Sequence, residues 1–434
     1  MVFFRKILFL FLSLYHYFWA LFSALFYFFP SRKIKVIGVT GTKGKSTVVE
    51  LLAKIFEEAG EKVASFSSIK IKIGKEERTN ALKMTMPGRG ELQKFLKKAK
   101  EKGCKIAIIE VTSEGILQHR HRFIRFEASV FTNLSPEHIE RHGSFEAYRK
   151  EKIKLFKATK NIHILNLDDK NVDHFLKEKA KEKWGFTIEG RKKKGVKVVE
   201  AKNLVYLPFG AKFKIEKEEF KINLPGKFNV YNALAAIATS LSFGVSLSVI
   251  KKALLKVKGI PGRMEIVIKE PFWAIVDYAH TPDSLEAVYS TLKKFLEKKQ
   301  LFSSRLICVL GATGGGRDKW KRPKMGEIAG KFCDVAIVTN EDPYDEDPQK
   351  IIEEVAKGVI KQNKKVLKIL DRREAIKTAL SLAKRNDIVV ITGKGCEPWM
   401  CVEKGKKIPW DDRKITKEEF EKIKNKYGST FAKI

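Results

Sequence analysis

Lys45, Ser46 and Thr47 stand directly behind a glycine turn, Gly41-Thr42-Lys43-Gly44, and that order suits a phosphate chain. Glycines let backbone N–H groups close around an anion, a lysine adds a mobile positive charge, and a Ser or Thr hydroxyl can ligate Mg²⁺. The usual spacing of such loops would need a glycine at position 39, where Val39 stands, yet the run Thr40 to Thr47 keeps every physical part. The plainer reading is a glycine turn beside a surface lysine. The flanking elements argue for a nucleoside triphosphate instead.

Further along, Glu110 ends the apolar run Ile106-Ala-Ile-Ile. Ligands gather at the carboxyl ends of parallel strands, so this carboxylate can hold Mg²⁺ against phosphates; its bland role is a helix cap. His138 and His142 lie among acids in one loop, at a spacing that fits no zinc pattern, and structural histidines are the plain alternative. Asn229 and Asn232 sit three apart on one face of a helix start, where asparagine caps or binds adenine or phosphate. The loop Gly311 to Arg322 pairs glycines with Arg317 and Arg322, a combination suited to phosphate or carboxylate.

These residues need elements to hold them. Ile34, Val36, Ile37 and Val39 form a β-branched run that predicts a buried strand before the glycine turn, and Val48, Leu51, Leu52 and Ile55 recur at helical spacing after it. Strand-like runs at 106–110, 128–132, 162–167, 274–277, 306–310, 335–339 and 388–392 alternate with helical segments. Such alternation predicts mixed α/β architecture with mostly parallel, doubly wound sheets. The lysine-rich stretch 180–223, with alternating Val, Tyr and Phe, reads as a small antiparallel extension, and a helix capped near Asp283 follows the strand that ends at Asp277. Pro261-Gly-Arg263-Met-Glu265 reads as an interdomain joint, which divides the chain into an N-terminal segment 1–33, a central domain 34–260 and a C-terminal domain 261–434.

The 434 residues carry 86 Lys and Arg against 51 Asp and Glu, a net charge of +35 that favours anionic partners. The lysines are spread over helix faces without interleaved aromatics, so no nucleic acid is expected. The five cysteines show no Cys-x-x-Cys spacing, which argues against a disulfide framework and for a reducing compartment. Residues 7–29 are almost continuously apolar, long enough at about 1.5 Å per residue to cross a hydrocarbon core. Arg32, Lys33 and Lys35 weight the C-terminal flank, which places a cytoplasmic body at the inner face of the cell membrane. A helix lying in the plane of the interface is the competing reading, because aromatics run throughout.

An ordered set of motifs goes further. It runs Thr-Gly-Thr-Lys-Gly-Lys-Ser-Thr (40–47), Glu-Val-Thr-Ser (110–113), Gln118-His-Arg120, Thr-Asn-Leu-Ser-Pro-Glu-His (132–138) and Lys152. It continues with Gly-Lys-Phe-Asn-Val-Tyr-Asn (226–232), Gly-Arg-Met-Glu (262–265), Asp-Tyr-Ala-His-Thr-Pro-Asp (277–283), the segment 315–323, and Gly-Lys-Gly-Cys-Glu (393–397). Together these resemble the Mur ligase family, and within it the branch that adds the third residue of the peptidoglycan stem. The resemblance implies a P-loop-type central domain, a Rossmann-like C-terminal domain, and ATP-dependent ligation of an amino acid to a carboxylate through an acyl phosphate.

By that resemblance Gly41, Thr42, Lys43, Gly44, Lys45, Ser46, Thr47, Asn229, Asn232, Arg263 and Asp277 contact ATP. Ser46, Glu110, His138 and Lys152 (as a carbamate) hold Mg²⁺, with Lys45, Lys152 and His138 acting in catalysis. Thr112, Ser113 and Arg120 contact a nucleotide-sugar peptide; Arg317, Gly393 and Glu397 surround the incoming amino acid. The chain also departs from the family. An apolar segment replaces the N-terminal uridine-binding domain, which makes a lipid-linked or other carboxylate acceptor conceivable. Folylpolyglutamate- and cyanophycin-type ligases share the remaining domains, and a non-catalytic ATP-binding scaffold is a further alternative. Glu341-Asp-Pro-Tyr344 stands where diaminopimelate-adding enzymes carry Asp-Asn-Pro-Arg, and Cys396 where histidine is common.

Overall fold

The computed structural model describes all residues except Met1, Lys83, Arg89, His138, Pro208 and 432–434, and no side chains at 1–10 or 426–434. The chain divides into two compact units, the first covering nearly all of 1–258 and the second essentially Gly259 onward.

The first unit opens with helix α1 (Val2–Phe26), followed by β1 (Lys35–Thr40) and α2 (Lys45–Glu58). Next come β2 (Val63–Phe66), β3 (Lys70–Ile73), β4 (Glu76–Thr79), α3 (Glu91–Glu101), β5 (Ile106–Glu110) and α4 (Ser113–Leu117). Then follow β6 (Phe126–Phe131), α5 (Ile139–His142), α6 (Phe145–Ala158), β7 (Ile162–Asn166), α7 (Val172–Leu176), β8 (Glu182–Thr187) and β9 (Lys197–Glu200). These strands form one sheet in the order β4-β3-β2-β5-β1-β6-β7-β8-β9. All its pairings are parallel except the β2-β3-β4 edge, which is antiparallel. β1 is central, flanked by β5 and β6. Its five buried residues, Val36 to Thr40, explain the unbroken apolar run, because a parallel strand covered on both faces has no solvent side.

Two expectations change here. β8 and β9 join the central sheet in parallel, so the antiparallel extension is limited to the three-stranded sheet 202–222, in which Phe213 pairs with and stacks on Phe220. The membrane-crossing segment is not found: among the described residues no helix is long and apolar enough to cross a membrane. Residues 7–26 lie within α1 as expected, but that helix spends part of its surface on the domain, where Ser23 and Ala24 are buried.

In the second unit the strands 265–268, 273–277, 388–392, 306–310, 335–339 and 366–369 form a six-stranded sheet in that spatial order, parallel apart from its first pair. The helix after the second of these is capped by Thr281 with Ser284, the residues on either side of Pro282 and Asp283, as expected. Arg372 and Asp412, both fully buried, join two helix N-termini through bonds of 2.9 and 2.7 Å, and Arg372 also donates to the carbonyl of Thr392. Removing one partner strands a charge in the core, so Arg372→Leu should lower the unfolding free energy by about 3–5 kcal/mol, and Asp412→Leu added to it should restore much of the loss. Urea titration of both variants measures this.

Candidate active site

The glycine loop between β1 and α2 is shaped by contacts that leave no room for side chains. Gly41 has φ 149° and Gly44 φ 83°. A Cβ at Gly41 would lie 1.9 Å from Oγ1 of Thr132, and one at Gly44 2.2 Å from Oδ1 of Asn232. The chain after β6 grips the loop: Thr132 Oγ1 and Asn133 Nδ2 donate to the Lys43 carbonyl, and the Lys43 amide donates to Asn133 Oδ1. The amides of the loop and of the first turn of α2 are thereby set at a helix N-terminus, where a phosphate chain fits.

Two lysines converge on this loop. Lys45 Nζ donates to the carbonyls of Gly41 (3.1 Å) and Thr42 (2.9 Å), while Lys152 Nζ, from α6, donates to the same Gly41 carbonyl at 2.8 Å. Lys152 is 2% exposed and lies over the Tyr148 ring at 4.7 Å. Burial, reinforced by the nearby Lys45 ammonium, pulls its amine well below the ordinary lysine range. Thr47 is buried in the first turn of α2, and Thr42 shares a hydrogen bond with the Tyr148 hydroxyl.

Glu110 ends β5 directly beside β1, in register with Val39, and is 1% exposed. Ser46, on the first turn of α2, bonds to Ser68 at 2.8 Å. Among the described residues no three His, Cys, Asp or Glu side chains cluster as a metal site. A hydroxyl plus one carboxylate does suit Mg²⁺, which keeps most of its waters and takes few protein ligands. His138 lies outside the described residues. His142 bonds Ser113 Oγ at 3.1 Å, a structural histidine whose pKa burial lowers. Thr112 caps α4 by accepting from the Gly115 amide, and Arg120 reaches the Met86 carbonyl and the Gln118 side chain. Asn232 donates to Asn229 Oδ1 at 3.1 Å, both buried on the helix Lys227–Ser242. Thus 41–47, Lys152 and Asn232 meet at the loop, whereas Ser113 and Arg120 form a separate cluster around α4.

The second unit gathers its own group. Asp277 accepts from the amides of Met264 and Ala279, both at 2.7 Å, and burial raises its pKa. The Arg263 guanidinium lies 4.3 Å over the Tyr278 ring, and the Tyr278 hydroxyl donates to Glu397 at 2.9 Å. Lys394 is fully buried, paired with Asp342 at 2.9 Å and with Glu397. Gly393, at φ 114°, passes so close to Glu341 that a Cβ would meet its Oε2 at 2.5 Å. Arg317 sits half-buried on the glycine loop after the strand 306–310. Sequence reasoning left Asn133, Asp342 and Lys394 without roles, although the Gly-Lys-Gly run behind a strand was a signal for the last.

Residues 39–240 match the Mur ligase middle domain, and residues 262–395 match the Mur ligase glutamate ligase domain. UDP-N-acetylmuramoyl-L-alanyl-D-glutamate–2,6-diaminopimelate ligase of Caldanaerobacter subterraneus subsp. tengcongensis is 38% identical over 398 residues, covering 91% of this chain and 79% of that protein. The ligase of the same name from Aquifex aeolicus is 39% identical over 391 residues, covering 90% and 78%. A solved structure of such a ligase superposes with a TM-score of 0.60 at 30% identity, covering 90% of this chain and 79% of that one. Mycobacterium tuberculosis folylpolyglutamate synthase shares the fold alone, with a TM-score of 0.65 at 16% identity over 84% of this chain and 89% of its own. On the glycine loop, both domain matches and relatives of this identity and coverage, the chain belongs to the Mur ligase family.

Proposed function

We propose that the protein is an ATP-dependent ligase that joins an amino acid to a carboxylate of a muramyl-peptide precursor of peptidoglycan, as the relatives' names describe for them. The observation carrying this is the convergence of Lys45 and Lys152 on the Gly41 carbonyl, in a glycine loop that opens a helix N-terminus. Loop amides and Lys45 would take the β- and γ-phosphates, Lys45 leaving two carbonyls for a stronger, charged acceptor. Ser46 and Glu110 would hold Mg²⁺, which when bound neutralises phosphate charge. The acceptor carboxylate attacks the γ-phosphorus and ADP leaves. The amine then attacks the acyl carbon, the C–O bond to phosphate breaks, and the amine sheds a proton. Arg263, Asp277, Asn229 and Asn232 serve nucleotide binding; Thr112, Ser113 and Arg120 the acceptor; Arg317, Gly393 and Glu397 the amino acid. The body works at the inner face of the cell membrane, attached through α1.

Tyr344 itself brings no guanidinium for bidentate pairing with a distal carboxylate, although Arg317 acts on it electrostatically, so lysine belongs beside diaminopimelate in the substrate panel. Purified protein with ATP and Mg²⁺ should release phosphate only with a cognate acceptor and amino acid. Silence with every muramyl dipeptide acceptor, with or without UDP, overturns the reading; release with folate and glutamate replaces it.

A further inference from the structure

Along its described length α1 has two faces. Ser13, Tyr17, Ser23 and Ala24 turn to the domain: Ser13 Oγ lies 2.8 Å from His119 Nε2, and the Tyr17 ring meets His119 and Phe123 edge-on at 5.7 and 5.4 Å. The opposite face exposes Phe11, Phe18, Phe22 and Phe26, each more than 60% accessible, with Phe28 beyond the helix end at 83%. No Asp, Glu, Lys or Arg occurs from Ile7 to Ser31. So wide an apolar strip needs a cover. Contacts from Ser13 to Tyr27 hold this segment against the domain for about 21 Å, so crossing a bilayer would require peeling off the packed face.

The charge beside the strip says what covers it. A cavity of about 810 Å³ at the C-terminal end of α1 is lined by Arg32, Lys33, Lys35, Lys105 and Arg125, all exposed. Among the described residues only Glu61 and Glu127 oppose them in its wall. Arg32 also lies 4.4 Å over the ring of Phe29, in the turn that follows α1. A second copy on this face would bring like charges together, each chain carrying +35. An anionic lipid surface supplies both acyl chains and phosphates.

We infer that α1 is an in-plane anchor, its aromatic face sunk into the headgroup boundary of an anionic bilayer while the basic cavity holds lipid phosphates. This rests on the membrane-attached reading above and specifies its geometry. Full-length protein should sediment with phosphatidylcholine–phosphatidylglycerol vesicles and far less with phosphatidylcholine alone. Phe18→Glu/Phe22→Glu should weaken binding about a hundredfold, and Arg32→Glu/Lys33→Glu at least about thirtyfold, with ATP turnover on a soluble acceptor unchanged in both. The native cysteines are all buried, so a dye on Phe22→Cys reports depth: quenching by shallow but not deep lipid quenchers is expected. Deep quenching means a spanning helix and overturns the in-plane geometry alone. Absence of vesicle binding overturns membrane attachment altogether, and dimerisation abolished by Phe18→Glu/Phe22→Glu replaces the bilayer with a second copy.

Discussion

Lys45→Ala should lower kcat/KM for ATP about a thousandfold while leaving the thermal midpoint nearly unchanged. The ammonium is the mobile charge of the loop, and the carbonyls of Gly41 and Thr42 accept from it. Charge placed where phosphate charge develops is worth about 10²–10³ in rate for a single donor, and here it also serves binding. Stability is spared because position 45 opens α2, where alanine is a good helix former. Isothermal titration with ATP and a phosphate-release assay separate the two losses. A variant that keeps full turnover sinks the phosphate-cradle account.

Lys152 should be modified, and activity should depend on that modification. An amine must be neutral to attack CO₂, and burial beside Lys45 favours the neutral form. The nitrogen then bonds to carbon and releases one proton, converting a cation into a carboxylate able to meet a metal ion. Because burial depresses the folded-state pKa, the neutral amine persists to lower pH than in an ordinary lysine and is lost as the pH falls through that lowered value. Incubation with ¹³C-bicarbonate at neutral pH should therefore give a carbamate resonance that disappears on acidification. Lys152→Ala should cost about a hundredfold or more in kcat, with partial recovery on adding short-chain carboxylic acids. Lys152→Arg, which keeps the charge toward Gly41 but cannot form the carbamate, should not be recovered. If wild type shows no resonance and Lys152→Arg retains full rate, Lys152 is merely a structural cation.

Much of this was legible from residue order. A glycine loop between an apolar strand and a helix is a local event, set by the backbone freedom of Gly41 and Gly44 and the β-branched run before them. The ordered motifs carried the family in the same way, because each is a few contiguous residues. The α1 helix shows the limit of local reading: its apolar run is visible in the chain, but which half faces the domain is decided by His119 and Phe123, about a hundred residues away. Strands β8 and β9, the last two of the central sheet, failed for a related reason, since alternation names a strand without naming its neighbour or direction.

The sequence by itself therefore determined the glycine loop, the alternation of strands and helices, and the excess of positive charge. All three follow from neighbouring residues and composition. Only the tertiary structure decided that Lys152 shares the Gly41 carbonyl with Lys45, that Lys394 is buried against Asp342, and that α1 keeps an uncovered aromatic face. Those outcomes depend on which surfaces exclude water from one another, and distant segments settle that only when they pack.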